Sequence, residues 1–212
     1  MKLNFKNNVS NLIIGLFLLF GVSFSQSSFV GLVLEEIDND GIVAGTTYRL
    51  YAELSEGTLY AIFADESNPS LIETTTTFYQ DTYGGDIQTA INPMFFGMVA
   101  TLEYDSWVTI GDTYTDAVST VGDLNFTSFS GSSWSCGGTP SSDASIFRTS
   151  DNENCLPDGN GLVLLGQFTT DGTLSGYINI HGQNALGVAW DEVAVPIPSL
   201  IGCTDLTACN YN

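Results

Sequence analysis

The sequence is nearly without positive charge. Its 212 residues include four of lysine plus arginine against 24 acidic ones, a formal net charge of −20. A chain of this sign repels phosphate backbones, which argues against nucleic acid as a partner. Anionic membrane surfaces are disfavoured for the same reason. Histidine occurs once, at His181. One imidazole cannot build a multi-histidine zinc site, and no Gly-x-Ser-x-Gly elbow supplies a serine for it to activate. Helical patterning is lacking too: no window sustains apolar residues at i, i+3, i+4 and i+7. Only Ile91 to Tyr104 leaves room for one short helix. Long apolar runs are missing apart from Leu12 to Val22.

That run of 11 residues is too short to span a bilayer, which takes roughly 20. It follows Lys2 and Lys6 and precedes Ser23-Phe24-Ser25, the layout of a secretory signal cleaved before Gln26. Residues 1–25 are therefore expected to be removed, leaving no stable membrane insertion. Only Arg49 and Arg148 then remain as cations. Export also changes the reading of Cys136 and Cys155, which can oxidise outside the cell. Both lie in a Gly/Ser-rich region, and a disulfide between them would clip a long loop, contributing roughly 3 kcal/mol. Other pairings with Cys203 and Cys209 stay open.

What the sequence does have is strand pattern. Tyr48, Leu50, Ala52 and Leu54 alternate with Thr47, Arg49, Tyr51 and Glu53. Leu59 to Ala64 is apolar on both faces. Leu162, Leu164 and Phe168 mark another strand, Leu174, Ile178 and Ile180 the next, with Asp171-Gly172 between them as a hairpin signal. Val188 to Val193 alternates again. Gly, Asp and Asn punctuate these short runs, which predicts an all-β fold, an antiparallel β-sandwich or barrel-like domain. Thr127 to Asp158 reads as a long Gly/Ser-rich loop leaving the sheet. Pro196-Ile197-Pro198 resists further pairing. The expected organisation is a signal peptide over 1–25, a β domain over 26–198 and a linker over 199–212.

Few residues suggest chemistry. Asp38-Asn39-Asp40-Gly41 sets oxygens around a turn, and calcium takes 6–8 oxygen ligands. Asp38 and Asp40 are thus candidate metal ligands with calcium as the candidate cofactor, although Asp-Gly is equally a plain turn. Asp151, Glu153 and Asp158 form a weaker second cluster. Glu103, Asp105, Asp191 and Glu192 lie beside Tyr104, Trp107 and Trp190, as carboxylates and aromatics do in sugar clefts. Aromatics in strands more often pack in cores. A thiol–imidazole pair of Cys136 or Cys155 with His181 would need free thiols, which export opposes.

The end of the chain carries Gly202-Cys203-Thr204-Asp205 and then Ala208-Cys209-Asn210-Tyr211-Asn212. This GCTDxxACNYN string resembles the opening of Cys/Asp-rich repeats in secreted modular proteins of marine bacteria. The resemblance covers the tail alone. It implies that the chain is the front of a longer surface or secreted protein, with the partners of Cys203 and Cys209 beyond residue 212. Asn92-Pro93, Leu102 to Gly111 and the Trp190 strand also resemble an uncharacterised secreted β-domain. Together these readings predict a non-enzymatic extracellular or cell-surface module, structural, adhesive or display in role. Polysaccharide or another cell-surface protein is its expected partner. Two alternatives compete: a carbohydrate-binding module, calcium-dependent through Asp38 and Asp40, and a secreted hydrolase with paired carboxylates.

Overall fold

A computed structural model of the chain describes residues 27–122, 131–136 and 143–199. The expected signal peptide and the repeat-like tail lie outside the described residues. The described residues hold eleven strands: β1 Phe29–Ile37, β2 Thr46–Leu54, β3 Thr58–Ala64, β4 Ser70–Thr74, β5 Trp107–Val108, β6 Ser119–Gly122, β7 Ser133–Cys136, β8 Ala144–Phe147, β9 Leu162–Thr170, β10 Leu174–Gln183 and β11 Ala189–Pro196. All pairings between these strands are antiparallel. They form a four-stranded sheet ordered β1-β2-β9-β5 and a seven-stranded sheet ordered β6-β8-β3-β10-β4-β7, with β11 on β10. The two sheets pack face to face, so the chain is an all-β sandwich.

The alternation read from β2 decides its faces. Leu50, Ala52 and Leu54 point into the core, against Ile62 of β3, Ile146 of β8, and Ile178 and Ile180 of β10. Phe168 and Leu165 of β9 complete it with no exposure at all. Each such side chain contributes roughly 1.5–3 kcal/mol by leaving water. Trp190 also turns inward, settling the face of the last strand. Its ring lies over Gly182, where a Cβ would stand 2.1 Å from the indole. Only glycine admits that approach.

The seven-stranded sheet is simpler than its strand count. Tyr177 of β10 pairs with both Leu71 of β4 and Pro196 of β11. A strand has two edges, so β4 lies on the edge opposite β11, which is also the edge that β3 uses. β3 and β4 therefore run end to end, with residues 65–69 looping out between them. Asn179 closes the junction: its amide donates to Phe63 O at 3.0 Å and Asn68 O at 2.7 Å, while its Oδ1 accepts from Ala194 N at 2.8 Å. The buried backbone groups freed by the break are thus satisfied.

Four expectations need correction. Asp171-Gly172 does not close a hairpin, because β9 belongs to one sheet and β10 to the other; the turn carries the chain across the sandwich. Thr127 to Asp158 is not simply an excursion, since β7 and β8 arise within it and pair with β4 and β3. Ile91 to Tyr104 holds short 3-10 turns, Pro93–Phe95 and Ala100–Tyr104, in place of a helix. The Cys136–Cys155 bridge is not formed: both are free, buried thiols. Cys136 sits opposite Ser70 at the start of β4, whereas Cys155 ends a 3-10 turn that packs on β3. The two thiols serve different stretches of that line as core-filling groups.

Candidate functional site

The outer face of the four-stranded sheet is half covered. Residues between β4 and β6 fold back over it, and Ile91, Leu102 and Trp107 bury Leu164 of β9 there as a second small core. Tyr51 of β2, half-buried, packs against this layer. Beyond it the face of β1 and β2 is open. A groove of about 400 Å³ runs there, lined by Val33, Leu34, Glu35 and Tyr51 and by Asp158, Asn160 and Leu162. Its size falls in the range of small-ligand sites, ~300–1,000 Å³.

Register builds the groove. β1 and β2 place Val33 opposite Tyr51 and Glu35 opposite Arg49. β2 and β9 place Tyr51 opposite Leu164 and Glu53 opposite Leu162. The turn before β9 rises at one side, tied by Asp158, whose Oδ1 accepts from Asn160 N at 2.8 Å and Leu162 N at 2.9 Å. Those bonds hold the Asp158 carboxyl below its ordinary range.

A polar row fixes Tyr51. Its hydroxyl donates to Glu35 Oε2 at 3.1 Å. On the same face of β2, Arg49 gives its Nε–H to Gln167 Oε1 at 3.2 Å. Gln167 in turn donates to the carbonyls of Glu103 and Asp105 at 2.9 and 3.0 Å. Burial raises the Tyr51 pKa, and the Glu35 carboxylate adds to the rise against the opposing pull of Arg49. The phenol stays protonated, as a donor, at neutral pH.

On the other sheet His181 has definite partners. Its Nδ1 hydrogen-bonds the Asp191 carboxylate across β10 and β11, and Tyr60 Oη lies 2.5 Å from its Nε2. A carboxylate can only accept, so Nδ1 carries the proton and a neutral ring leaves Nε2 to accept from Tyr60. Burial raises the Tyr60 pKa, with Asp191 and Cys155 pushing the same way. A phenol so placed is a poor nucleophile. Neither cysteine partners the imidazole. Burial pushes the Cys136 thiol up to about 12 and Cys155 up to about 11, which keeps both as unreactive thiols.

The remaining sequence candidates are placed as follows. In the β1–β2 connection, Asp38 Oδ1 accepts from Asp40 N at 2.9 Å and Asn39 Oδ1 from Gly41 N at 3.0 Å. Asp40 adopts a positive φ of 52°, a conformation that Asp tolerates in turns. These oxygens are shaping a turn. Among the described residues no three of His, Cys, Asp and Glu come together as a metal-holding group, the Asp151, Glu153 and Asp158 set included. Glu103 and Asp105 flank the four-stranded sheet while Asp191 and Glu192 belong to the other. Trp107, Trp190 and Tyr104 are buried at 0%, 6% and 7% exposure, so none lines a cleft. Asp105 is fully buried and accepts from Asp81 N at 2.7 Å and Gly85 N at 2.8 Å.

Glu35 and Tyr51 were not marked by any sequence motif. Alternation in β2 puts Arg49, Tyr51 and Glu53 on one face, which is half the signal. The other half is the β1–β2 register, which the sequence does not print. Compared with protein-family models, curated proteins and solved structures, the chain matches none.

Proposed function

We propose that this domain is a non-enzymatic module of an extracellular or cell-surface protein, with a structural, adhesive or display role. The observation that carries the reading is how its chemically capable groups are used. Both Asp105 oxygens hold backbone N–H groups. Arg148 spends its guanidinium on Ile110 O at 2.7 Å and on the Asp116 carboxylate and carbonyl, each at 2.6 Å. His181 staples β10 to β11 and to Tyr60. Asp105, Arg148 and His181, groups of the kinds that elsewhere act as acid, clamp or base, are here bound into the scaffold.

The test is a substrate panel. The full chain is incubated with polysaccharides, aryl glycosides and aryl esters, and released product is measured. No release above buffer is expected. Turnover that vanishes on substitution of one carboxylate would overturn the reading. Fractionation of cells expressing the tagged chain is expected to place it at the surface or in the medium, and retention in the cytoplasm would count against the setting.

A further inference from the structure

We propose that the groove beside Tyr51 binds a neutral saccharide unit, held by the Tyr51 ring, the free oxygen of Glu35 and the Asn160 amide beside Val33 and Leu162. This rests on the module reading above and names its ligand class.

Shape and chemistry together favour that class. A sugar ring presents apolar C–H patches on its faces and hydroxyls around its rim. The groove offers the complement among its lining: the aliphatic Val33 and Leu162, the Tyr51 ring, the Glu35 carboxylate and the Asn160 amide. Tyr51 uses one Glu35 oxygen and leaves the other to accept from hydroxyls. Asn160 is exposed, and its amide Oδ1 and one N–H remain available beside the weak 3.4 Å contact to Asp158.

The site is also preorganised. The Tyr51–Glu35 hydrogen bond orients the phenol and the carboxylate before any ligand arrives, and Gln167 holds Arg49 on the same face. Asp158 fixes the turn that carries Asn160. Side chains already held lose little freedom on binding, which conserves affinity.

Charge narrows the choice. A chain of net charge −20 repels anionic ligands. A cationic ligand needs several unspent carboxylate oxygens, yet Asp158 is engaged by its own turn and one Glu35 oxygen by Tyr51, which leaves a single free Glu35 oxygen in the groove. A neutral, hydroxyl-rich ligand suits the remainder.

The experiment is calorimetric titration of the full chain with neutral cello-, xylo-, manno- and laminari-oligosaccharides at low and high salt, alongside spermidine and an acidic oligosaccharide. Saturable binding of at least one neutral oligosaccharide is expected, little changed by salt. Asn160→Ala, an exposed turn substitution, is expected to weaken it about three- to tenfold, and Tyr51→Ala by more than about tenfold. Glu35→Gln, which keeps an acceptor oxygen, should cost less than either. No binding of any neutral oligosaccharide by a folded chain overturns the proposal and leaves the module reading intact. Binding that ignores both Asn160→Ala and Tyr51→Ala overturns it as well. Salt-sensitive binding of spermidine alone, lost in Glu35→Gln, makes the groove a cation site and also overturns it. Release of reducing ends from a bound oligosaccharide would retain the groove as a saccharide site and instead sink the non-enzymatic reading.

Discussion

Asp105 shows how one buried residue sets a pH response. Desolvation pushes its pKa from 3.8 up to about 6, outweighing the backbone N–H groups of Asp81, Gly85 and Ser106 that favour the anion. The nearby Asp81 charge adds to the rise. A carboxyl raised in the fold binds its proton more tightly there than in the unfolded chain. Its contribution to stability is therefore fully present below about 3.8 and is lost as pH rises through about 6. Asp65, Asp81, Asp116 and Asp158 are shifted the other way, so their contributions fall away only at more acid pH. The interval between is specific to Asp105. Calorimetric Tm values for the native chain and Asp105→Asn are expected to diverge as pH drops from about 7.5 to about 5, the native chain gaining. Parallel curves would refute the assignment. The cysteines make a second prediction at this scale. Cys136 and Cys155 are buried thiols, so alkylation should miss both in the native chain and reach both in denaturant without reductant. A bridge would leave them unmodified in denaturant too. Neither Asp105 nor the thiols announced these states in sequence, since burial of a given carboxyl depends on what folds over it.

Between elements, the hydroxyl of Thr170 joins four partners. It meets Thr74 Oγ1 at 2.6 Å and Thr76 Oγ1 at 3.0 Å, donates to Thr77 O at 3.0 Å, and accepts from Gly172 N at 3.0 Å. These contacts latch the end of β4 to the turn that carries the chain from β9 to β10. Gly172 has no room for a side chain, because its Cβ would lie 2.5–2.8 Å from the hydroxyls of Thr74, Thr75 and Thr76. Thr170→Val keeps the shape and removes the hub, stranding buried partners at a cost of about 1–3 kcal/mol. Urea unfolding should show the midpoint fall with the slope unchanged; an unshifted midpoint would mean water replaces the hub. The latch also explains a misreading. Asp-Gly between two apolar runs signals a hairpin, and β9 and β10 themselves were legible from alternation. Which sheet each strand joins shows only in long-range pairings, as in the contacts of Thr170 with threonines roughly 95 residues away in sequence. Short strands such as β7 and β8 were hidden for a related reason: four residues each, Ser-Trp-Ser-Cys and Ala-Ser-Ile-Phe, carry too little periodicity to be seen without their partners.

For the whole molecule, the sandwich was readable from period-2 patterning and turn residues, whereas the groove was not, because it depends on the β1–β2 register. Net charge is the property that sequence alone determines completely, and it has a consequence for stability. Arg148 is buried against Asp116, and Arg49 is half-buried and gives its Nε–H to Gln167. The solvent-facing groups are thus left almost entirely of one sign. Folding brings those carboxylates together, so self-repulsion opposes the compact state and is screened by salt over about 10 Å at 0.1 M. Tm is expected to rise steadily from low to high sodium chloride. Calcium should do no more than sodium at matched ionic strength, since the oxygens of Asp38 and Asn39 already serve the turn's own backbone. A further rise of several degrees in millimolar calcium, reversed by chelator, would show binding to the folded state. If Asp38→Asn or Asp40→Asn then removed it, the turn after β1 would be a cation site after all.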